Sequence, residues 1–338
     1  MSMEHYTLYH NEIPAVLAAC EAAPCMRRLQ NVGMNCGCEY TAFPRFRDLA
    51  PYSRFDHSLG VARIVWRFTQ DEKQAVAGLL HDVASPVFAH VVDFLHGDYL
   101  VQESTEDGTE AIIARDETLL RALKNANLTV GDVCDYHRYP IADNDSPRLS
   151  ADRLEYTLGN LLNYRIRTLD AVKAMYEDLT VGDAEDGKPE LTFRTPAIAK
   201  DFTEASLVCS EIYVSAEDRY AMQMLSEVLK TALERGVLTE ADLMTTEPAV
   251  IEKLLSDETT RAAWRNYRRF SAMLCADAPW GGAAWRQIPA KKRYIDPLIE
   301  GRGRVSAAFP DVKERIDAFL REPQTQFLAA VETAALDS

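Results

Sequence analysis

The chain has 338 residues, 47% of them hydrophobic, and a formal net charge of −15. That length supports a substantial core in one large domain or two smaller ones, and no apolar run reaches the roughly 18 residues that a membrane helix needs. The negative charge repels long nucleic acids and anionic membranes, but small phosphorylated substrates stay open because a cleft needs only a few well-placed cations.

The seven cysteines are an odd number without regular framework spacing, which suits a reducing compartment. The N-terminal segment lacks the basic and apolar blocks of a signal peptide, so we predict a cytoplasmic protein. Cys36 and Cys38 are separated by one residue, and together with Cys20 and Cys25 they do not form the usual pair of zinc knuckles. We expect buried free thiols there.

Helical patterning begins with two neighbouring segments. Apolar residues share a helical face in 59–66 and again in 75–83. Asp56 or Ser58 is expected to cap the first helix, and Asp71 begins a capping-box sequence before the second. We predict a helix in each segment.

Helices also dominate the rest of the chain. Ser150 can cap a helix whose leucines, between 154 and 162, lie on one stripe. One passage differs, because 178–194 has short β-prone pieces around an Asp-Gly turn signal and predicts a small hairpin. The polar and acidic stretch 98–109 predicts a loop. Further amphipathic helices are predicted over about 199–236, 247–275 and 310–334.

Polar residues at the end of an apolar run raise the question of function. His81 and Asp82 follow Leu79 and Leu80, although such side chains cost several kcal/mol to bury without a partner. Either the pair forms a structural hydrogen bond or it holds a metal ion. If one more histidine and one more carboxylate join the pair, the resulting set of two imidazoles and two carboxylates suits a divalent transition metal with open positions for water and substrate.

Three segments in this order resemble the HD-domain metal-dependent phosphohydrolases: "SRFDHSLGVARI" (53–64), "GLLHDVASPVFAHVVD" (78–93) and "SADRLEY" (150–156). The similarity is greatest to the branch that contains the deoxynucleoside triphosphate triphosphohydrolases, and it covers roughly 25–235. Two supporting pieces are "MRRLQNVG" (26–33) and "SEIYVSAEDRYAMQMLSEVL" (210–229).

The resemblance implies an all-α fold, an HD-domain helical bundle to which the small β-hairpin and additional C-terminal helices are added. We expect the HD domain to occupy 1–240, with its core at about 25–235. A C-terminal helical subdomain is expected over 241–338, although no linker marks the boundary. Relatives of this kind are often dimers or tetramers, so a homo-oligomer is compatible with the resemblance.

The resemblance also assigns a metal site. Carried over by position, it makes His57, His81, Asp82 and Asp152 the ligands of one divalent ion. Manganese, iron, nickel, cobalt, zinc and magnesium all tolerate such a mixed ligand set. A bundle interior lets these ligands arrive from neighbouring helices.

Further positions match residues that surround the substrate in the triphosphohydrolases. His90 and Asp93 match a histidine and an aspartate beside the phosphate chain, and their spacing lets Asp93 orient His90 as an acid or orienting group. Arg54 matches a phosphate-contacting arginine. Tyr156 matches a tyrosine near the phosphate groups. The resemblance therefore makes His90 and Asp93 catalytic, and Arg54 and Tyr156 substrate-binding.

Two departures concern the substrate rather than the metal. Ser85 stands where the triphosphohydrolases usually have a histidine after the HD pair, and Gln102 stands where they have a further histidine. The proton donor and the triphosphate specificity are therefore open. The basic run "PAKKRYIDPL" (289–298) is either a solvated face or a phosphate-binding loop that uses Lys292 and Arg293.

His96 and His137 could support a second metal, since some HD proteins bind two, but Ser85 and the lack of a regular further set favour one ion. The sequence thus predicts an HD-type phosphohydrolase that cleaves a nucleotide or another small phosphate ester by attack of a metal-activated water. A nucleotide-binding or sensing protein with little hydrolysis is the alternative. An HD-type oxygenase with two irons ranks last, because it needs more histidine ligands than can be placed at the site.

Overall fold

A computed structural model describes residues 8–9, 12–96 and 108–333. The first half of the described chain contains the helices α1 (Ala15–Glu21), α2 (Pro24–Arg28), α3 (Arg54–Thr69), α4 (Glu72–Leu80), α5 (Val91–His96), α6 (Thr109–Ile113), α7 (Glu117–Asn125), α8 (Val130–Val133) and α9 (Ala151–Asn163). None of the described helices combines the length and the apolar character that crossing a membrane requires.

The second half mixes helices with short strands. Its elements are α10 (Leu169–Glu177), β1 (Leu179–Asp183), β2 (Pro189–Phe193), α11 (Pro196–Tyr213), α12 (Ala216–Glu234), α13 (Glu240–Leu243), α14 (Glu247–Ser256), α15 (Glu258–Tyr267), β3 (Ala272–Ala276), β4 (Leu298–Ile299), β5 (Gly303–Arg304), α16 (Val305–Ala308), α17 (Pro310–Arg321) and β6 (Phe327–Val331). The predicted mostly helical fold with a small hairpin is confirmed.

The N-terminal ends of the helices explain where the key side chains stand. Ser53 caps α3, since its hydroxyl accepts from the Asp56 amide at 3.2 Å while the Asp56 carboxylate accepts from the Ser53 amide at 3.0 Å. The caps predicted at Asp56 or Ser58 are therefore wrong, because the helix begins earlier. Asp71 caps α4 and Ser150 caps α9, as predicted.

Short strands form two small sheets. β1 and β2 pair antiparallel, from Leu179 opposite Phe193 to Asp183 opposite Pro189, which confirms the hairpin. β4 adds to β2 in parallel and β5 completes the order β1-β2-β4-β5.

The second sheet corrects two predicted helices. β3 and β6 pair antiparallel, with Ala272 opposite Val331, so the helices expected to continue through 272–275 and 327–331 are wrong there. A short apolar run fits helix and strand alike. Here the partner that satisfies the backbone hydrogen bonds lies far away in the sequence.

Two buried clusters hold these elements together. One includes residues of α3, α4 and α9 together with Val312, Ile316 and Phe319 of α17. The other centres on α12, α14 and α15 and includes Leu225 and Trp264. Both clusters take residues from each side of position 240, and the domain boundary there stays a prediction.

Close packing between α3 and its neighbours depends on glycine. A Cβ on Gly78 of α4 would meet Val61 and Val65 of α3 at 3.3 Å, which is tight but close to ordinary contact. A Cβ on Gly60 of α3 would lie 2.4 Å from Glu155 Oε1 of α9. α3 and α9 can approach this closely only because position 60 has no side chain.

We therefore predict that Gly60→Ala destabilises the fold by about 1–3 kcal/mol, because overpacking outweighs the better helix propensity of alanine. Chemical denaturation measures the change. Gly131→Ala in α8 is the matched control, since its Cβ would meet nothing closer than 3.9 Å. Equal stability of the two variants would contradict this account of the α3–α9 contact.

Candidate metal centre

The four predicted ligands come together at the meeting point of three helices. His57 lies in the second turn of α3, His81 directly follows α4, and Asp152 is the second residue of α9. His57 Nε2 is 3.2 Å from His81 Nε2 and 3.0 Å from Asp152 Oδ1. Among the described residues, these three form the one group of histidine, cysteine and acidic side chains close enough to share an ion, with donor atoms within 4.8 Å of one another.

Asp82 stands beside this group. Its Oδ2 lies 3.5 Å from His81 Nε2 and 3.9 Å from His57 Nε2. His81 is the last position before the chain turns away from α4. Consecutive side chains at a helix end point about 100° apart, so these two approach one point only to the side of the α4 axis.

Both imidazoles are fixed through their other nitrogen. His57 Nδ1 lies 2.5 Å from Glu155 Oε2, and His81 Nδ1 lies 2.7 Å from the Gly78 carbonyl oxygen. Each Nδ1 therefore carries the hydrogen and donates, which leaves the Nε2 atoms to face the carboxylates. This is the arrangement that metal-binding histidines usually have, and the mixed N/O donor set fits a divalent transition metal.

The charges at the site favour a bound cation. Burial lowers the pKa of His57, but hydrogen bonds to Asp152 and Glu155 and their negative charges raise it to about 10. Burial raises the pKa of Asp152, but the hydrogen bond and charge of His57 lower it to about 2. Both shifts have one cause, the attraction between the His57 imidazole and the negative charge gathered around it, and a divalent cation would meet the same attraction.

Arg54 was predicted to contact phosphate, and here its guanidinium contacts Asp82. Its Nη1 donates to Asp82 Oδ1 at 2.8 Å and Oδ2 at 2.7 Å, and both residues are buried. Ser85 donates its hydroxyl to Asp82 Oδ1 at 2.7 Å. Burial raises the pKa of Asp82, but the charges of Arg54, His81 and His57 hold that pKa well below its usual range.

His90 and Asp93 form the pair that their spacing suggested. His90 Nδ1 lies 2.9 Å from Asp93 Oδ2, with the His90 side chain 30% exposed and Asp93 fully buried. The two residues before His90, Phe88 and Ala89, have φ values of 57° and 45°. Such left-handed backbone costs on the order of 1–3 kcal/mol in residues that have a side chain. Strain is thus concentrated where the chain sets the direction of His90, whose catalytic role stays a prediction.

Tyr156 lies beside the ligand group. Its ring centre is 6.5 Å from that of His57 and 6.3 Å from that of Tyr213. Burial and the Asp152 charge raise the pKa of Tyr156 to about 12, whereas the charge of Arg293 acts in the opposite direction. Tyr156 is therefore a neutral hydroxyl donor, and Arg293 is near enough to influence it.

Lys292 binds the C-terminal end of α17. Its ammonium donates to the carbonyl oxygens of Phe319 and Glu322, where α17 ends. Cations are favoured at a helix C-terminus, since the last carbonyl groups have no partner within the helix. The structure therefore does not support the predicted phosphate contact for Lys292.

The remaining candidates do not extend the metal group. His137 Nδ1 lies 2.7 Å from Asp143 Oδ2, and its ring packs on Tyr136, which in turn packs on His81. The side chain of His96, the residue Gln102 and most of the predicted loop 98–109 lie outside the described residues. All seven cysteines are free thiols.

Sequence reasoning missed Glu155. This glutamate is fully buried and accepts hydrogen bonds from the hydroxyls of Tyr52 at 2.5 Å and Tyr9 at 3.2 Å, in addition to His57. One signal was available: a glutamate three residues after Asp152, on a helix with an otherwise apolar stripe, faces nearly the same side as Asp152.

Comparisons with known proteins support the superfamily. No protein-family model matches the chain. It is 24% identical over 202 residues to the uncharacterized protein YdhJ of Bacillus subtilis, covering 60% of this chain and 61% of that protein. It is 23% identical over 165 residues to the metal-dependent phosphohydrolase cns2 of Cordyceps militaris, covering 49% of this chain and 46% of that protein. The chain thus spans less than two thirds of the length of these curated relatives.

A solved structure matches over nearly the whole chain. The crystal structure of a phosphohydrolase (BT4208) from Bacteroides thetaiotaomicron has a TM-score of 0.65 and 16% identity, and covers 95% of this chain and 96% of that one. At this identity the match shows the fold. The name of this structure and that of the cns2 relative support the predicted resemblance to an HD-type phosphohydrolase superfamily, and the triphosphohydrolase branch stays a prediction.

We predict that His57→Ala abolishes stoichiometric binding of a divalent metal. The variant removes one ligand and leaves the carboxylates to repel each other. Metal content after dialysis against Mn²⁺, measured by elemental analysis, checks this. His137→Ala is the matched control and should keep its metal, because His137 is paired with Asp143. Equal metal loss in both variants would mean a larger site that includes His137.

Proposed function

We propose that this chain is a metal-dependent phosphohydrolase that cleaves a nucleotide or another small phosphate ester. The convergence of His57, His81 and Asp152, with Asp82 beside them, is the observation that carries the proposal. The names of the cns2 relative and of the matching crystal structure support the same class of reaction.

Four residues of this chain would hold the ion: His57 and His81 through Nε2, and Asp82 and Asp152 through carboxylate oxygens. When bound, a divalent ion supplies positive charge for a phosphoryl oxygen and lowers the pKa of a water molecule toward neutrality. The chain's contribution is to hold the donors in place before the ion arrives.

Arg54 provides a second positive charge next to this point. Its Nη1 is committed to Asp82, whereas its buried Nε has no hydrogen-bond partner among the described residues. A guanidinium presents its donors in a rigid fork that fits phosphate oxygens. In this proposal Arg54 neutralises charge on the phosphate while it keeps Asp82 ionised.

His90 is the proposed proton donor for the leaving group. Asp93, fully buried, holds Nδ1 of His90 at 2.9 Å, so the other ring nitrogen is available to carry a proton toward substrate. Tyr156 and Arg293 are proposed to line the substrate side of the site. Their proximity, and the hydroxyl that Tyr156 retains, support this.

A specific observation favours the alternative, a nucleotide-binding protein with little hydrolysis. Ser85 replaces a histidine of the triphosphohydrolases, and its hydroxyl is bound to Asp82 rather than free for a substrate. The proposed enzyme therefore has fewer residues that assist at the phosphate than the triphosphohydrolases have.

A hydrolysis screen that detects nucleoside as well as phosphate, pyrophosphate and triphosphate products separates the two functions. With Mn²⁺, Co²⁺, Ni²⁺, Fe²⁺ or Mg²⁺ added, we predict turnover of at least one nucleoside phosphate or simple phosphate ester, and none in Asp82→Ala. Thermal stabilisation by nucleotides without any hydrolysis product would instead support the binding protein.

We further predict that His90→Ala keeps its metal and loses roughly 10²–10⁴-fold in turnover, the range for removal of a general acid or base. Elemental analysis and single-turnover kinetics on one preparation test both halves. Metal loss in His90→Ala equal to that in His57→Ala would show that His90 is a ligand and that its proposed role is wrong.

A further inference from the structure

We propose that Glu155, together with the hydroxyls of Tyr52 and Tyr9, forms a positioning unit that prepares His57 to bind the metal. The inference rests on the metal site of the proposed function, but it concerns affinity for the ion rather than turnover. Glu155 Oε2 lies 2.5 Å from His57 Nδ1 and accepts from Tyr52 at 2.5 Å, while Oε1 accepts from Tyr9 at 3.2 Å.

The chain makes room for this unit at two helical glycines. A Cβ on Gly60 of α3 would lie 2.4 Å from Glu155 Oε1, and a Cβ on Gly159 of α9 would lie 2.7 Å from the Tyr52 hydroxyl. Glycine within a helix costs about 1 kcal/mol relative to alanine. Two such positions, one against each polar side chain, indicate that the local packing is arranged around the carboxylate and its hydroxyl partner.

A fully buried carboxylate needs this support. Glu155 has 0% exposure, and a buried charge without partners costs several kcal/mol. The two hydroxyls occupy lone pairs of Glu155 that His57 does not use, and they fix the carboxylate in one orientation. His57 Nδ1 then has a single geometry in which to donate, which fixes the direction in which His57 Nε2 points.

A carboxylate behind a ligating histidine also makes the imidazole a stronger ligand. Loss of such an outer partner typically costs 10–100-fold in metal affinity. The contact to Tyr9 extends the effect to the N-terminal segment, where Tyr9 is buried and packs edge-on against Tyr176 of α10 at 5.3 Å between ring centres. Tyr9 therefore contributes to the back of the metal site.

The test compares Mn²⁺ dissociation constants, measured by electron paramagnetic resonance on the full chain. We expect Glu155→Gln to weaken Mn²⁺ binding about 10–100-fold, and Tyr52→Phe and Tyr9→Phe to weaken it less. Tyr220→Phe is the matched control, because this buried tyrosine donates to the Ala284 carbonyl oxygen at 2.7 Å, in the second cluster, and should bind Mn²⁺ like the wild type.

A second readout separates positioning from general stability. In Zn²⁺-loaded protein with ¹⁵N-labelled histidine, the Nδ1 proton of His57 should give a downfield signal that is protected from exchange. Glu155→Gln should shift that signal and speed its exchange, even where thermal unfolding shows a folded variant. Tyr52→Phe, a smaller change, keeps the test decisive if Glu155→Gln does not fold.

Unchanged Mn²⁺ affinity and an unchanged His57 signal in both Tyr52→Phe and any folded Glu155→Gln would overturn the inference. So would a loss of affinity in Tyr220→Phe equal to that in Tyr52→Phe, since the effect would then follow from lost stability alone. Because no step of the test uses turnover, a protein that binds Mn²⁺ but hydrolyses no phosphate would defeat the proposed function alone.

Discussion

The structure around the metal-ligand group depends on balancing the charges of several buried side chains that meet at one point. His57, His81, Asp82 and Asp152 bring two imidazoles and two carboxylates within a few ångströms, and Arg54 adds a guanidinium. Such groups are stable away from water only when each has a partner. The neighbouring hydrogen bonds of Glu155, Gly78 and Ser85 supply partners on the outer side, and on the inner side the donor atoms of His57, His81 and Asp152 are close enough to share one ion.

The need to give each buried charged group a partner also affects how the helices pack. α3 and α9 approach closely at Gly60 and Gly159, which leaves space for Glu155 and Tyr52 between the helices. At the C-terminal end of α4 the consecutive residues His81 and Asp82 both lie beside His57. The strained backbone at Phe88 and Ala89 follows only a few residues later. Within the described residues, the site is therefore built from helix ends and close contacts between helices.

The sequence predicted the parts of this arrangement that depend on local pattern. The ordered ligands, the caps at Asp71 and Ser150 and the 178–194 hairpin could be read from spacing, turn residues and the resemblance. The sequence could not reveal contacts between residues that lie far apart along the chain. β3 and β6 satisfy each other's backbone although even their nearest partners, Ala276 and Phe327, are 51 positions apart, and Lys292 binds the end of α17. Glu155 was missed because its partners, Tyr9 and Tyr52, come from distant segments.

A crystal structure of the Mn²⁺-loaded protein soaked with phosphate tests the central claim most directly. The account predicts one ion, bound by Nε2 of His57 and His81 and by carboxylate oxygens of Asp82 and Asp152, with Glu155 still on His57 Nδ1 and phosphate between the ion and Arg54. An ion at another place, a second ion bound through His137, or a direct bond from Glu155 to the metal would contradict it.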